Sequence, residues 1–128
     1  MCAARYIKGE RGFMIDKIFA LSNSIRYVAI YSGDQLETKS KFGTVGASAP
    51  ESDRYEELLV NPTLLKLSSQ RGNIDCGGLR YVLVRYGSFF QFVLPTQVGH
   101  VSVCIEPDAD PVEIGSRISE LVQGQRSL

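Results

Sequence analysis

The single histidine of the chain, His100, begins the run HVSVCI, two residues before Ser102 and four before Cys104. An imidazole near a thiol or hydroxyl is the raw material of nucleophilic catalysis, with the ring as general base and the sulfur or oxygen as attacking atom. In a strand, alternate residues share a face, so the three side chains point the same way. Positions i and i+4 of a strand are nevertheless ~13 Å apart, beyond a direct Cys–His hydrogen bond. His100 therefore reads as a half-exposed residue at a strand entrance rather than as half of a dyad. Metal binding is no better supported. Cys2, Cys76 and Cys104 are spaced by 74 and 28 residues, and neither CxxC, HxH nor HExxH occurs.

A second candidate is Asp75-Cys76-Gly77-Gly78. A cysteine before two glycines can sit on a turn whose amides face a developing oxyanion. The simpler reading is a turn from helix to strand with a small buried thiol. The acids Glu106, Asp108, Asp110 and Glu113 do not follow an EF-hand pattern and suit the start of a helix instead. Neither GxGxxG nor GxxxxGK[ST] is present to cradle a phosphate. Phe89, Phe90 and Phe92 invite comparison with base-stacking platforms, yet no RNP pattern accompanies them, and core or interface packing is expected.

Composition narrows the classes further. In 128 residues, 14 Lys and Arg balance 14 Asp and Glu, which gives no global attraction for polyanions and argues against a nucleic-acid partner. The balance is uneven, because residues 1–42 carry seven bases and four acids while residues 106–113 carry four acids and no base. A charged partner is expected to dock at one of these ends. At 44% hydrophobic and 22% charged residues, the chain is expected to fold as one domain over residues 1–128. No secretory signal or membrane-inserting run is legible, and three cysteines without pairing spacing read as reduced thiols, so a cytoplasmic location is expected.

Several elements must position these residues. Phe13, Met14, Ile15, Ile18, Phe19 and Leu21 recur at helical spacing, predicting an amphipathic helix over about residues 9–22. RYVAIYS (26–32), Gly33-Asp34 and QLETKSKF read as a hairpin whose polar second strand suits a sheet edge. The composition of residues 43–53 marks a loop. Ser52 or Asp53 then caps a helix with Glu56 and Glu57 in its first turn and with Tyr55, Leu58 and Leu59 as its apolar face. Pro62 predicts a break, with Asn61 capping a second piece, residues 62–70, that buries Leu64, Leu65 and Leu67 and stops at Arg71-Gly72-Asn73. LRYVLVRY (79–86), Gly87-Ser88 and FFQFVLP predict a hairpin with a type II′ turn. HVSVCI follows, and Asp110-Pro111-Val112-Glu113 opens a last helix that buries Ile114, Ile118, Leu121 and Val122. Short hairpins in two groups make the sheet antiparallel, in an α+β, layered α/β/α arrangement.

The order α-β-β-α-β-β-β-α resembles the roadblock/LC7 family. The resemblance covers about residues 13–123 and rests on IRYVAIYSGDQL, a long second helix ending near Gly72, and the meander LRYVLVRYGSFFQFVLP followed by HVSVCIEPDADPVEIGSRISELV. Residues 1–12 lie outside it as a variable extension, and Pro62 departs from a second helix that is usually continuous. The resemblance implies a five-stranded antiparallel sheet with the second helix on one face and the first and last on the other. It also implies a non-catalytic adaptor or regulator of small GTPases or signalling complexes, with no catalytic residue, metal or cofactor to carry over. Dimers of the family form through the second helix and third strand, which implies a homodimer with Leu64, Leu67, Leu79, Tyr81, Leu83 and Arg85 at its interface. The alternative is a small-molecule sensor of profilin-like or PAS-like type, its pocket lined by Tyr27, Tyr31 and the phenylalanines.

Overall fold

The computed structural model describes residues 10–41 and 49–126. Cys2, most of the N-terminal extension and most of the expected loop lie outside the described residues. The elements are α1 (Glu10–Phe19), β1 (Ile25–Ser32), β2 (Gln35–Ser40), α2 (Pro50–Tyr55), a π-helical turn (Glu56–Val60), α3 (Asn61–Asp75), β3 (Val82–Arg85), β4 (Phe90–Thr96), β5 (Gly99–Ile105) and α4 (Pro111–Arg126). The five strands form one antiparallel sheet in the order β2-β1-β5-β4-β3. The α+β class and the sheet are those expected.

Strand alternation divides the sheet into two unlike faces. On one, Val28, Val103 and Phe92 lie in a row, and Ile30, Val101 and Leu94 form the next. Met14, Ile15 and Ile18 of α1 and Ile114, Ile118 and Val122 of α4 close over them, and all are buried. Removing so much apolar surface from water is the main stabilising term of the fold. Asp110 caps α4 as the sequence anticipates, its Oδ1 accepting from the amides of Val112 at 3.1 Å and Glu113 at 3.2 Å. Phe13 departs from expectation: α1 ends at Phe19, and the ring of Phe13 is exposed.

The other face lies beneath α2, the π turn and α3, and here the expected helix pattern is inverted. Tyr55, Leu59 and Leu67 face solvent, whereas Glu57, Asn61, Leu65 and Gly72 are buried. The helix starts at Pro50 after Ala49, not at a Ser52 or Asp53 cap. Pro62 does not break it. Lacking an N–H and crowding the carbonyl four residues earlier, proline is accommodated by widening the preceding turn. The Asn61 amide donates to the carbonyl of Glu56, five residues back, and the Thr63 hydroxyl donates to the Leu59 carbonyl at 2.7 Å. Asn61 is thus an interior residue rather than a cap. The helix passes Arg71-Gly72-Asn73 and ends at Asp75, where Gly77 (φ +82°) and Gly78 (φ +88°) turn the chain so that the Gly78 amide donates to the Gly72 carbonyl at 3.0 Å.

The turn chemistry also differs from expectation. Gly87 does not have the positive φ that a type II′ turn requires, whereas Gly33, in the first hairpin, has φ +65°. β3 is shorter than predicted, and Tyr81 and Tyr86 flank it half in solvent.

Candidate functional site

Beneath the helix, three rows of facing residues cross the sheet: Tyr27, Cys104 and Gln91; Ala29, Ser102 and Val93; Tyr31, His100 and Pro95. His100, Ser102 and Cys104 therefore share a face, as the alternation of HVSVCI predicts. His100 is not half-exposed, however. Its ring is 1% exposed, and Nε2 lies 2.7 Å from Oε1 of Glu57, itself 0% exposed. Glu57 and Asn61, four residues apart, share the inner side of a helix that stays continuous through the π turn. Asn61 Nδ2 donates to Glu57 Oε1 at 3.0 Å and reaches Ser102 Oγ at 3.4 Å. Gln91 Nε2 donates to the same hydroxyl, and its Oε1 accepts from Cys104 Sγ at 3.1 Å. A buried polar chain thus runs from His100 through Glu57, Asn61, Ser102 and Gln91 to Cys104.

This arrangement does not form a Cys–His nucleophile. His100 is engaged by Glu57, and Cys104 is held by Gln91. Burial first, then the charges of Glu57 and Asp53, push the Cys104 thiol well above its usual range, and a neutral thiol is a poor nucleophile. Cys76, the other candidate, is exposed, contrary to the expected burial. With the Gly78 amide already spent on the helix end, its turn is a structural stop rather than an oxyanion hole. Of the C-terminal acids, Glu106 holds Arg26 at 3.2 Å and Glu113 pairs with Arg117 at 3.8 Å. Among the described residues, no three His, Cys, Asp or Glu side chains converge to hold a metal ion.

Three polar atoms of the buried face have no hydrogen-bond partner among the described residues: Glu57 Oε2, Asn61 Oδ1 and the Tyr27 hydroxyl. Leaving such groups without partners in the interior costs about 1–3 kcal/mol each. The Tyr27 hydroxyl faces the Glu57 carboxylate without reaching hydrogen-bond geometry, and burial, followed by the fields of Glu57 and Asp53, raises its pKa steeply.

Tyr27 and Glu57 line a cavity of about 320 Å³ between the start of the helix and the tip of the β3–β4 hairpin. Ser52, Asp53 and Glu56 form one wall, Tyr86 to Phe89 the other, and Gln91 and Cys104 the floor. Arg26 anchors the hairpin tip by donating to the Ser88 carbonyl at 3.1 Å and lying 5.1 Å from the Phe89 ring. The Tyr86 hydroxyl donates to both oxygens of Glu56, at 3.2 and 3.1 Å, and is itself pushed up to about 12 by burial and then by that carboxylate. Burial and then the neighbouring Glu57 push Asp53 up to about 6, and burial raises Glu56 as well. Of the aromatic residues expected to line a pocket, Tyr27 and Phe89 do so here. Tyr31 lies at a separate hollow with Pro62 and Leu65, while Phe92 belongs to the apolar core and Phe90 packs against it.

The sequence pattern places Glu57 in a first helical turn and Asn61 at a cap, and gives neither a place in the buried site. Their signal was the four-residue step Glu57, Asn61, Leu65, which marks one helix face. It was masked by the leucines on the opposite side.

The residues expected at a dimer interface are divided by the fold. Leu64 is half-buried and Leu67 is 62% exposed on the outer side of α3, which corrects the expected burial of Leu67. Tyr81 rests on Phe92 with ring centroids 5.0 Å apart, and Leu83 packs against the apolar core. Arg85 lies exposed over the Phe90 ring at 4.9 Å, and Leu79 is half-buried in the approach to β3.

No protein-family model matches the sequence, and no curated protein matches it significantly. Solved structures do match the fold. A roadblock/LC7 domain from Streptomyces avermitilis superposes with a TM-score of 0.68 at 18% identity, over 90% of this chain and 93% of that one. The gliding protein MglB from Thermus thermophilus superposes with a TM-score of 0.64 at 11% identity, over 92% of this chain and 91% of that one. Together with the strand order and the placement of the helices on the two sheet faces, these matches make the chain a roadblock/LC7-like domain in fold.

Proposed function

We propose that the protein is a non-catalytic homodimeric adaptor or regulator that acts on a small GTPase or a signalling complex. The observation that carries this reading is the inverted helix. Its outer side presents Tyr55, Leu59, Leu67 and Ile74, the last two 62% and 74% exposed, while its inner side is spent on a polar network. A row of large apolar side chains left in water costs stability unless a partner covers it.

The free edge of β3 lies beside this row. Tyr86, just past β3, is tied to Glu56 near the start of the helix, and the Gly78 amide, just before β3, is tied to Gly72 near its end. A partner seated on Leu67 and Ile74 therefore also meets the unpaired backbone of β3. A second copy offers both surfaces, and twofold symmetry lets each copy use both at once. The matches to a roadblock/LC7 domain and to MglB support a regulatory or adaptor role.

Sedimentation at tens of micromolar is expected to give a dimer, and Leu67→Asp to weaken it at least thirtyfold, the ~2 kcal/mol of a central interface residue. A wild-type monomer at that concentration would remove the dimer. Affinity capture with the dimeric chain is expected to recover a GTP-binding protein. Recovery only of proteins that bind no nucleotide would replace the GTPase with another partner.

A further inference from the structure

The cavity between the helix start and the β3–β4 hairpin has a chemistry that the adaptor reading does not use. It is rich in hydrogen-bond acceptors and negative charge. Asp53, Glu56 and Glu57 contribute three carboxylates, and among the described residues that line it none is a lysine, arginine or histidine. Arg26, the cation beside it, is already committed to Glu106 and to the Ser88 carbonyl.

An acidic cluster alone would say little, since carboxylates near a helix start are stabilised there. Two further observations point to a ligand. Glu57 is fully buried, and one of its oxygens is held by His100 and Asn61 while the other, Oε2, has no partner. The Tyr27 hydroxyl, on a side chain 7% exposed, is likewise unpartnered, and both residues line the cavity. An N–H donor placed there satisfies both. The rings of Tyr27 and Tyr86 also line the cavity, and aromatic rings attract a cation. The volume of about 320 Å³ falls at the small end of small-molecule sites. It suits an organic cation better than a bare metal ion, for which the described residues bring no set of three ligands together.

We infer that this cavity binds a small organic cation bearing N–H donors, an alkylammonium or guanidinium compound, whose charged end meets Glu57 Oε2 and the Tyr27 hydroxyl while Asp53 and Glu56 neutralise it at the mouth. Such a ligand also offsets the field of Glu57, which after burial is the second cause that pushes Asp53 up to about 6. Binding at pH 6 is therefore coupled to release of protons.

The test is calorimetric titration of the full chain with agmatine, which carries both an ammonium and a guanidinium group, in two pH 6 buffers of different ionisation enthalpy. Saturable binding with proton release is expected. Asp53→Asn and Glu56→Gln should each weaken it by about tenfold, the effect of losing ~1.4 kcal/mol of charge attraction. Tyr27→Phe, which removes only the hydroxyl, should weaken it severalfold. Asp16→Asn, on the opposite face in an exposed pair with Lys39, should leave it unchanged. Glu57→Gln also disturbs the His100 contact, so the mouth carboxylates and Tyr27 carry the test. No binding at millimolar agmatine, equal binding of the neutral analogue butylurea, or affinity indifferent to the mouth variants would overturn the assignment.

Discussion

The two faces of one sheet are built from opposite chemistry. Under α1 and α4, Val28, Ile30, Phe92, Leu94, Val101 and Val103 meet Met14, Ile15, Ile18, Ile114 and Ile118 in a dry core. Beneath the α2–α3 helix, Tyr27, Gln91, His100, Ser102 and Cys104 meet Glu57 and Asn61. The apolar face gains stability from every methylene it buries, whereas the polar face only recovers what desolvation costs, and three of its atoms do not recover it. Stability is thus concentrated on one side of the sheet. The other side retains groups that are costly for folding and useful for binding.

The largest expected effect tests the apolar side. Phe92→Ala removes a fully buried ring from the middle of the dry core, and urea unfolding is expected to show a loss of about 4 kcal/mol. A loss under 1 kcal/mol would mean that this face is not the stabilising one. On the polar side, His100→Ala strands Glu57 in the interior with only Asn61 as partner and is expected to cost about 3 kcal/mol. Its combination with Glu57→Gln should cost less than the sum of the two single changes by more than ~1 kcal/mol, because the two side chains share one contact. Strict additivity would show that the buried pair is not coupled.

The smallest effect concerns the mouth of the cavity and sharpens the comparison through pH. Asp53 has a folded pKa of about 6, raised above its unfolded value near 4, so the folded state binds the proton more tightly. Stability from this group is present below about pH 4 and is lost as pH rises to about 6. Asp53→Asn should therefore stabilise the protein at pH 7 by about 1 kcal/mol, a value reduced for solvent screening at a half-exposed site, and should flatten the pH–stability profile between pH 4 and 6. A destabilised variant at pH 7 would show that the acid is favoured by the helix start more than it is opposed by its neighbours.

Much of the architecture is legible from local pattern. The β-branched runs, the Gly33 turn and the Asp110-Pro111 helix start each encode a short-range preference that the tertiary structure keeps. The α2–α3 helix was not legible in the same way. Its leucines and tyrosine form an apolar side by any local count, and burying it is the default expectation for a lone domain. The fold buries Glu57 and Asn61 instead, because His100 and Ser102 await them from a strand, 43 and 41 residues away in sequence respectively. No window of the sequence contains both halves of that network. Pro62 is a similar case. Its local meaning is a break, yet a single widened turn keeps the helix continuous, with Glu57 and Asn61 on its buried side.

The sequence by itself determined the strands, their alternation and hence that His100, Ser102 and Cys104 share a face, because side-chain direction in a strand follows from backbone geometry two residues at a time. It also determined where α4 begins, since a cap is a contact between neighbours. Only the tertiary structure decided which side of the α2–α3 helix turns inward, that Glu57 rather than Cys104 partners His100, and that a cavity walled by carboxylates lies beside them. Those outcomes depend on hydrogen bonds between residues distant in the chain, whose strength depends on exclusion of water, and that exclusion exists only once the helix is laid on the sheet.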